Sequence, residues 1–286
     1  VIDLRNNGGG SLQEATELTS PFIERGPTVL VRNSNGRVDI LTDEEARGPL
    51  YRGPMAVLVN RLSASASEIF AGAMQDYHRA LIVGGQTFGK GTVQSIQPLN
   101  HGELKLTLAK FYRVSGQSTQ HQGVLPDIYF PDLVDAEQIG ESALPEAMPW
   151  DSIKPAIPPR NDPFKPFLDV LQARHDARTE QDPDFIYNRE RLSLARQLMQ
   201  ETVVSLRESR RRAEQVRIEK LQLDLENQRR SVKGEELLKA LKDEDDEDSP
   251  LPHDTDDKNP MEDAYLKETA HILLDWTNLH QVAGRR

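Results

Sequence analysis

The chain has 286 residues, which is enough for about two domains of ordinary size. Its formal net charge of −11 argues against non-specific nucleic-acid binding, which needs a basic surface. It contains no cysteine, so disulfides, cysteine-ligated zinc sites and a cysteine nucleophile are excluded. No apolar run is long enough to span a bilayer.

The first residues, Val1–Leu4, are typical of the middle of a strand. No initiator methionine precedes them, and no basic region followed by an apolar stretch marks a secretory signal. We therefore interpret the sequence as part of a longer protein. On that interpretation, the missing targeting signal says nothing about the compartment.

Residues 1–134 contain short apolar runs separated by glycine and proline. These runs are too short for helices and are bounded by turn residues, which predicts buried strands. Amphipathic spacing predicts helices over Leu12–Ile23 and Ser67–Tyr77. A strand, a helix and a strand within about thirty residues form a βαβ unit with parallel strands. The predicted strands are Val1–Leu4, Thr28–Arg32, Ala56–Asn60 and Ala80–Gly84.

Two further strands, Thr92–Leu99 and Glu103–Val114, are joined by a short turn that contains glycine. Residues 103–107 alternate between polar and apolar, which predicts a half-exposed antiparallel strand. The predicted fold class is therefore α/β: a βαβ core with an antiparallel hairpin, followed by a helical C-terminal region.

The rest of the chain divides by composition. Residues 135–163 form a proline-rich connector, and residues 164–242 are charged and helix-favouring. An apolar stripe runs from Leu192 through Met199 and on to Val203 and Leu206. The acidic stretch 243–260 is predicted to be disordered, because it cannot bury enough surface to offset chain entropy. Residues 261–281 regain the period of an amphipathic helix.

The segment Asn60–Glu68 lies between a predicted strand and a predicted helix, and it carries serines at positions 63, 65 and 67. A serine at a helix N-terminus meets unpaired backbone N–H groups that stabilise negative charge. This favours a nucleophile. Ser65 and Glu68 also match a capping box, which is a common helix start without catalytic meaning. The spacing alone does not choose between the three hydroxyls.

Lys90 stands between Gly89 and Gly91, where the backbone can bend and another segment can approach closely. If Thr92 begins a strand, residues 90, 92 and 94 point the same way, which puts the lysine ammonium and the Gln94 amide on one face. A lysine serves as a general base when burial lowers its pKa well below about 10.4.

A phosphate-binding loop is the alternative interpretation of the same lysine. Gly84 and Gly89 supply the required spacing, but Gly91 stands where serine or threonine belongs. The segment also joins two predicted strands rather than a strand and a helix. The sequence therefore disfavours nucleotide binding.

Three glycines at positions 8–10 follow the first strand. Free backbone N–H groups at such a point suit an oxyanion hole. A flexible turn is the commoner explanation for this segment taken alone.

Taken in order, these segments resemble the carboxyl-terminal processing proteases, also called tail-specific proteases. The resemblance covers residues 1–134, extends more loosely through Trp150–Ile153, and points to the larger bacterial periplasmic branch. The matching segments are Asp3–Gly10, Ser63–Glu68, Phe88–Gln94, Lys110–Val114 and Gly123–Ile128.

The resemblance implies a role for each matched residue. Ser65 would be the nucleophile and Lys90 its general base, with Gln94 orienting the lysine. The backbone N–H groups of Gly10 and Ala66 would form the oxyanion hole, and Asp76 matches a position that supports the site. The reaction implied by the resemblance would be cleavage of a protein at or near its C-terminus through an acyl-enzyme, without metal or organic cofactor.

The resemblance also implies partners and a compartment. Substrates would be proteins or peptides with exposed C-termini, an adaptor or regulator could dock on the helices, and the location would be periplasmic. No PDZ domain, the family's usual C-terminus reader, is visible in this sequence. Two other functions stay open: an inactive ligand- or peptide-binding module on the same scaffold, and an acyl-CoA enzyme of crotonase type.

Overall fold

The computed structural model describes residues 1–132, 134–157, 162–241 and 262–283. The chain has the mixed α/β fold that the sequence predicts. Its strands are β1 (Ile2–Asp3), β2 (Val29–Asn33), β3 (Val38–Leu41), β4 (Ala56–Val59), β5 (Leu81–Gly84), β6 (Thr92–Pro98), β7 (Glu103–Tyr112) and β8 (Ile128–Tyr129). Its α-helices are α1 (Leu12–Thr19), α2 (Ala66–Asp76), α3 (Leu168–Thr179), α4 (Pro183–Met199), α5 (Glu208–Lys233) and α6 (Ala264–Ala283). Glu141–Ala143 and Lys165–Phe167 form 3₁₀ turns.

A parallel sheet with strand order β1-β4-β5-β8 lies at the centre of the molecule. Strands β4 and β5 are apolar throughout and fully buried, as strands covered on both faces are. They pair in parallel and α2 connects them, so the predicted βαβ unit is confirmed.

The two faces of the parallel sheet are covered by different parts of the chain. Val57 and Val59 pack on one side against Phe70 and Met74 of α2. The alternate residues of β4 and β5, whose side chains point to the other face of the sheet, pack against the C-terminal helices. That second cluster joins Ala56, Leu58, Leu81, Val83, Ile128 and Phe130 to Phe164, Leu171, Phe185 and Ile272. The helical region therefore supplies one wall of the main core.

A second, antiparallel sheet has the order β3-β2-β7-β6 and contains the predicted hairpin. It packs on α1 and α2 through Val29, Val31 and Phe111. The predicted antiparallel strand over residues 103–107 is confirmed, but its predicted half-exposure is wrong, because this end of β7 is exposed on both faces. Leu104 and Leu106 are both 46% exposed because this end of the hairpin extends beyond the packed body.

The C-terminal helices differ in part from the predicted pattern. Helix α4 ends at Met199, so the apolar stripe does not continue; Val203 and Leu206 lie outside any helix and are exposed. Helix α5 is solvated along most of its length, and its one buried residue is Glu226. The acidic segment 243–260 lies outside the described residues. Among the helices described, none is both long and apolar enough to cross a membrane.

Candidate active site

The serine segment forms a tight turn between β4 and α2, and the structure separates its three serines. Ser63 and Ser67 are buried, whereas Ser65 is half-buried. The Ser63 hydroxyl donates to the Leu4 carbonyl at 2.7 Å and accepts from the Asn60 N–H at 3.0 Å. The Ser67 hydroxyl lies 2.8 Å from Oδ1 and 3.0 Å from the carbonyl oxygen of Asn7. Both outer hydroxyls therefore tie the turn to the segment that follows β1.

Ser65 precedes the first residue of α2 and has φ 58° and ψ −112°. This conformation is rare for any residue with a Cβ and costs on the order of 1–3 kcal/mol, and such strain clusters at active sites. The surrounding hydrogen bonds hold the turn in place. The strained residue is the same serine that the family pattern marks as the nucleophile.

The glycine segment packs directly against this turn. The Ala64 N–H donates to the Asn7 carbonyl at 3.0 Å. A Cβ added to Gly9, whose φ is +95°, would lie 2.7 Å from the Ala66 nitrogen and 2.9 Å from the Ser65 Cβ. Only glycine allows this approach. The Gly9 N–H is occupied by Asn7 Oδ1 at 3.0 Å.

The predicted oxyanion donors are the backbone N–H groups of Gly10 and Ala66. Within the described part of the chain, neither N–H donates a hydrogen bond to another protein group. A Cβ on Gly10 would meet no atom within 4 Å, so its neighbourhood is open. Both N–H groups are therefore without a protein acceptor in the described chain and can donate to a ligand.

The segment that contains Lys90 is fixed by hydrogen bonds from its backbone to other segments. Five consecutive backbone N–H groups, from Thr87 to Gly91, donate hydrogen bonds to other segments. The acceptors are, in order, the carbonyls of Val124 and Ser63, Oε1 and Oε2 of Glu68, and Oε1 of Gln120. Gly91 then leads directly into strand β6, so the helix that a phosphate-binding loop requires is replaced by a strand. This geometry rules out the nucleotide-binding alternative.

Glu68 joins the serine turn to the lysine segment, and sequence reasoning treated it only as a capping residue. Its side chain is fully buried, and its carboxylate accepts four hydrogen bonds. Oε1 accepts from the Thr87 hydroxyl at 2.6 Å and the Gly89 N–H at 2.7 Å. Oε2 accepts from the Ser65 N–H at 2.7 Å and the Lys90 N–H at 3.0 Å. Burial raises the pKa of Glu68 to about 7, against the effect of these hydrogen bonds.

The shared oxygen sets a limit on the distance between the two predicted catalytic residues. Ser65 and Lys90 donate to the same Glu68 Oε2, so their backbone nitrogens are separated by no more than the sum of the two distances, 5.7 Å. The structure therefore brings the two residues together across 25 positions of sequence. Lys90 is half-buried, and its ammonium makes no ion pair or hydrogen bond within the described chain.

The predicted partnership of Gln94 with the lysine is not formed here. A register shift between Val93 and Gln94 interrupts the alternation of β6, so residues 92 and 94 do not share a simple face. Gln94 is exposed, and its amide donates to the Thr107 hydroxyl of β7 at 3.3 Å.

Asp76 lies at the opposite end of α2 from Ser65. Eleven positions at a rise of about 1.5 Å each separate them by roughly 16 Å. The Asp76 carboxylate is buried, pairs with the Arg113 guanidinium and accepts from the Ser115 N–H at 3.1 Å. It therefore anchors the segment that follows β7 and does not reach the nucleophile turn.

Arg61 is a second buried charge that sequence reasoning missed. Its side chain is 1% exposed. The guanidinium donates to the carbonyls of Thr87 and Ile139 and to the Ser142 hydroxyl. Burial lowers the pKa of this guanidinium. Arg61 thus fixes Thr87, which in turn holds Glu68. An arginine next to a motif of small residues is the only signal that the sequence offered.

No group of three or more histidine, aspartate or glutamate side chains forms a possible metal site within the described ranges. The serine, lysine and glycine segments together supply a hydroxyl, a primary amine, two backbone N–H groups without a partner in the described chain and one buried carboxylate. These are the parts of a hydroxyl–amine hydrolase site.

Two family models match the chain. Residues 1–130 match peptidase family S41, and residues 134–278 match the C-terminal domain of tail-specific protease. The chain therefore belongs to the tail-specific protease family of S41 peptidases.

The chain is 40% identical over 289 aligned residues to the tail-specific protease of Haemophilus influenzae, covering 96% of this chain and 40% of that protein. It is 47% identical over 130 residues to the carboxy-terminal-processing protease of Bartonella bacilliformis, covering 45% of this chain and 30% of that one. Among solved structures, a photosystem II D1 C-terminal processing protease aligns with a TM-score of 0.41 and 38% identity, over 47% of this chain and 34% of its own. The Haemophilus influenzae protein aligns with almost the whole of this chain, but the chain spans only 40% of the length of that protein.

Proposed function

We propose that the protein is a serine endopeptidase that cleaves proteins at or near their C-terminus through a Ser65–Lys90 dyad. One observation carries the proposal: Ser65 and Lys90 donate to the same buried carboxylate oxygen, while the neighbouring hydroxyls of Ser63 and Ser67 are committed to other segments. The family membership of the chain supports the same reaction class.

The proposed reaction begins with neutral Lys90. Its amine takes the proton from the Ser65 hydroxyl as the oxygen attacks the scissile carbonyl carbon. The carbonyl π bond breaks, and its electron pair moves to the oxygen, where the N–H groups of Gly10 and Ala66 stabilise the oxyanion. One such donor typically lowers the activation barrier by about 2.7–4 kcal/mol.

Collapse of the tetrahedral intermediate expels the leaving amine, which takes a proton from the Lys90 ammonium. Water then attacks the acyl carbon while Lys90 takes its proton. Collapse of this second tetrahedral intermediate breaks the bond to Ser65 Oγ, which takes the proton back from the Lys90 ammonium and releases the carboxylic acid product. The hydrogen bonds of the Ser65 turn and of the segment from Thr87 to Gly91 fix the backbones of the two reacting residues before substrate arrives, and such positioning is one source of rate acceleration.

The substrate class and the compartment belong to the same proposal. The relatives are described as tail-specific and carboxy-terminal-processing proteases, so we infer substrates with exposed C-termini. We also infer a periplasmic location and docking of an adaptor on the helical region. Cell fractionation tests the location. Co-purification of the encoded protein with and without residues 208–233 tests the docking of an adaptor, because this helix is solvated along most of its length.

The dyad is tested in the protein as it is encoded, with an unfolded substrate that ends in apolar residues. Ser65→Ala and Lys90→Ala should each lower kcat by about 10³-fold or more with the fold intact, because neither residue can replace the other's chemistry. A fluorophosphonate probe should label the wild type and not Ser65→Ala.

The matched controls are the neighbouring serines. Ser63→Ala and Ser67→Ala should lower stability, because each removes a buried hydrogen bond, yet both variants should still be labelled by the probe. Wild-type cleavage by Ser65→Ala, or loss of labelling in Ser67→Ala with the label retained in Ser65→Ala, would refute the assignment.

A further inference from the structure

We propose that Glu68 is a positioning residue that sets the distance between nucleophile and base by holding the backbone N–H groups of Ser65 and Lys90 on one carboxylate oxygen. The inference rests on the proposed function of Ser65 and Lys90. It goes beyond that function because Glu68 takes no part in the chemistry and acts only through the two residues that it holds.

The geometry makes Glu68 the direct link between the two catalytic segments. Its Oε2 lies 2.7 Å from the Ser65 nitrogen and 3.0 Å from the Lys90 nitrogen, and the three residues span two different segments of the fold. Its Oε1 holds the preceding part of the lysine segment through Gly89 at 2.7 Å. Movement of this carboxylate would therefore displace both reacting residues at once.

All four partners donate, so the ionised carboxylate is the form that accepts all four hydrogen bonds at once. Ser65, Gly89 and Lys90 contribute backbone N–H groups, which can only donate. The Thr87 hydroxyl also donates, because its oxygen already accepts from the Val124 N–H at 2.7 Å. An ionised carboxylate accepts on both oxygens, whereas an amide accepts on one and donates on the other. Glutamine at position 68 would therefore turn an NH₂ group towards at least one backbone N–H.

Further packing excludes water from this junction. A Cβ added to Gly123 would lie 2.6 Å from the Thr87 hydroxyl oxygen and 3.1 Å from Glu68 Oε1, so the neighbouring segment closes directly over the carboxylate. Arg61 donates to the Thr87 carbonyl from the other side. Because water has no access to the fully buried side chain, a mismatched donor at position 68 has no solvent partner to replace the lost acceptor.

The test compares Glu68→Gln with Asp127→Asn in the encoded protein. Asp127 is a matched control: its carboxylate also accepts from a backbone N–H (Ile82, 2.8 Å) and from a side chain (Gln75, 2.9 Å), but it lies towards the far end of α2. Glu68→Gln should lower kcat by about 100-fold, the loss expected for a displacement of about 1 Å, with KM changed less than threefold. Asp127→Asn should lower Tm and leave kcat unchanged.

Three outcomes separate the proposals. Wild-type kcat in folded Glu68→Gln, together with an inactive Ser65→Ala, overturns the role of Glu68 and leaves the proposed function in place. Full activity of Ser65→Ala overturns the proposed function itself. An equal loss of kcat in Glu68→Gln and Asp127→Asn reduces Glu68 to a general stabilising residue and refutes the proposal.

A measurement on the unmodified protein keeps the proposal testable if Glu68→Gln fails to fold. The amide hydrogens of Ser65 and Lys90 should exchange with solvent at closely similar opening free energies, because one carboxylate oxygen holds both. The Gly10 amide, which donates to no protein group in the described structure, should exchange at least 100-fold faster and serves as the internal reference. Exchange of the Ser65 or Lys90 amide at the rate of Gly10 would contradict the tether.

Discussion

The structure predicts that the C-terminal helix α6 is part of the main core, and Ile272→Ala tests this directly. Ile272 is 0% exposed and packs in the cluster formed by Leu58, Val83 and Phe185. The substitution removes three buried carbon atoms, worth about 0.8 kcal/mol each in transfer free energy, or roughly 2.4 kcal/mol together. The cavity that remains adds to this, so the free energy of unfolding should fall by about 3–4 kcal/mol.

The matched control lies on the same helix. Leu274 is 60% exposed, so Leu274→Ala removes a similar side chain without opening a cavity and should change the free energy of unfolding by less than about 0.5 kcal/mol. The measurement is equilibrium unfolding in urea, followed by circular dichroism and by tryptophan fluorescence, because Trp276 lies on α6 beside Phe164. Equal small losses in both variants, or a fluorescence transition that precedes the loss of helix signal, would refute the assignment of α6 to the core.

Two further predictions follow from the site. Gly9→Ala should abolish probe labelling of Ser65 and lower Tm, because the new Cβ would lie 2.6 Å from the Ala64 carbonyl oxygen on a backbone with a φ of +95°. Gly10→Ala, whose Cβ would meet no atom within 4 Å, should retain both the labelling and the Tm. Normal labelling of Gly9→Ala would contradict the close packing of Gly9 against the serine turn. The pKa of Glu68 is about 7 in the folded state and about 4.5 in the unfolded state, so between these pH values the folded state binds more protons than the unfolded state. The free energy of unfolding should therefore fall as pH rises through this window, by about 3 kcal/mol in all. The unfolding free energy of the wild type should therefore fall relative to that of Glu68→Gln by that amount from pH 4.5 to pH 7 in urea titrations. A difference that does not change with pH would show that the pKa of Glu68 is not raised.

Much of the fold was predictable because short apolar runs report directly on buried strands. The parallel pair β4 and β5, the connecting helix α2 and the β6–β7 hairpin were all predicted within a few residues. Strands β3 and β8 were missed because β3 is mostly exposed and β8 has only two residues. The predicted continuation of the apolar stripe through Val203 is wrong. Val203 is exposed, and an apolar stripe that packs against no other element gives a helix little stability.

The order of the serine, lysine and glycine segments is a property of the sequence alone, and its resemblance to the tail-specific proteases was sufficient to name Ser65 and Lys90 as the candidate pair. The structure distinguishes the three serines by their hydrogen bonds: Ser63 donates to Leu4 and Ser67 to Asn7, which leaves Ser65. Leu4 and Asn7 lie about sixty positions away in sequence, so no local pattern showed these contacts. Asp76 could not be separated from the site by its sequence position, because its distance from Ser65 depends on its place at the far end of the helix.

The sequence by itself determined which chemical groups are present and which short segments carry them, because local composition governs strands, turns and helix starts. Only the tertiary structure decided that Glu68, at the start of helix α2, accepts a hydrogen bond from the Lys90 backbone. It also decided that helix α6, far away in sequence, packs against one face of the parallel sheet. The physical reason is that both results come from contacts between segments far apart in sequence. Burial turns an ordinary capping glutamate into the acceptor of four hydrogen bonds, and no local pattern encodes that burial.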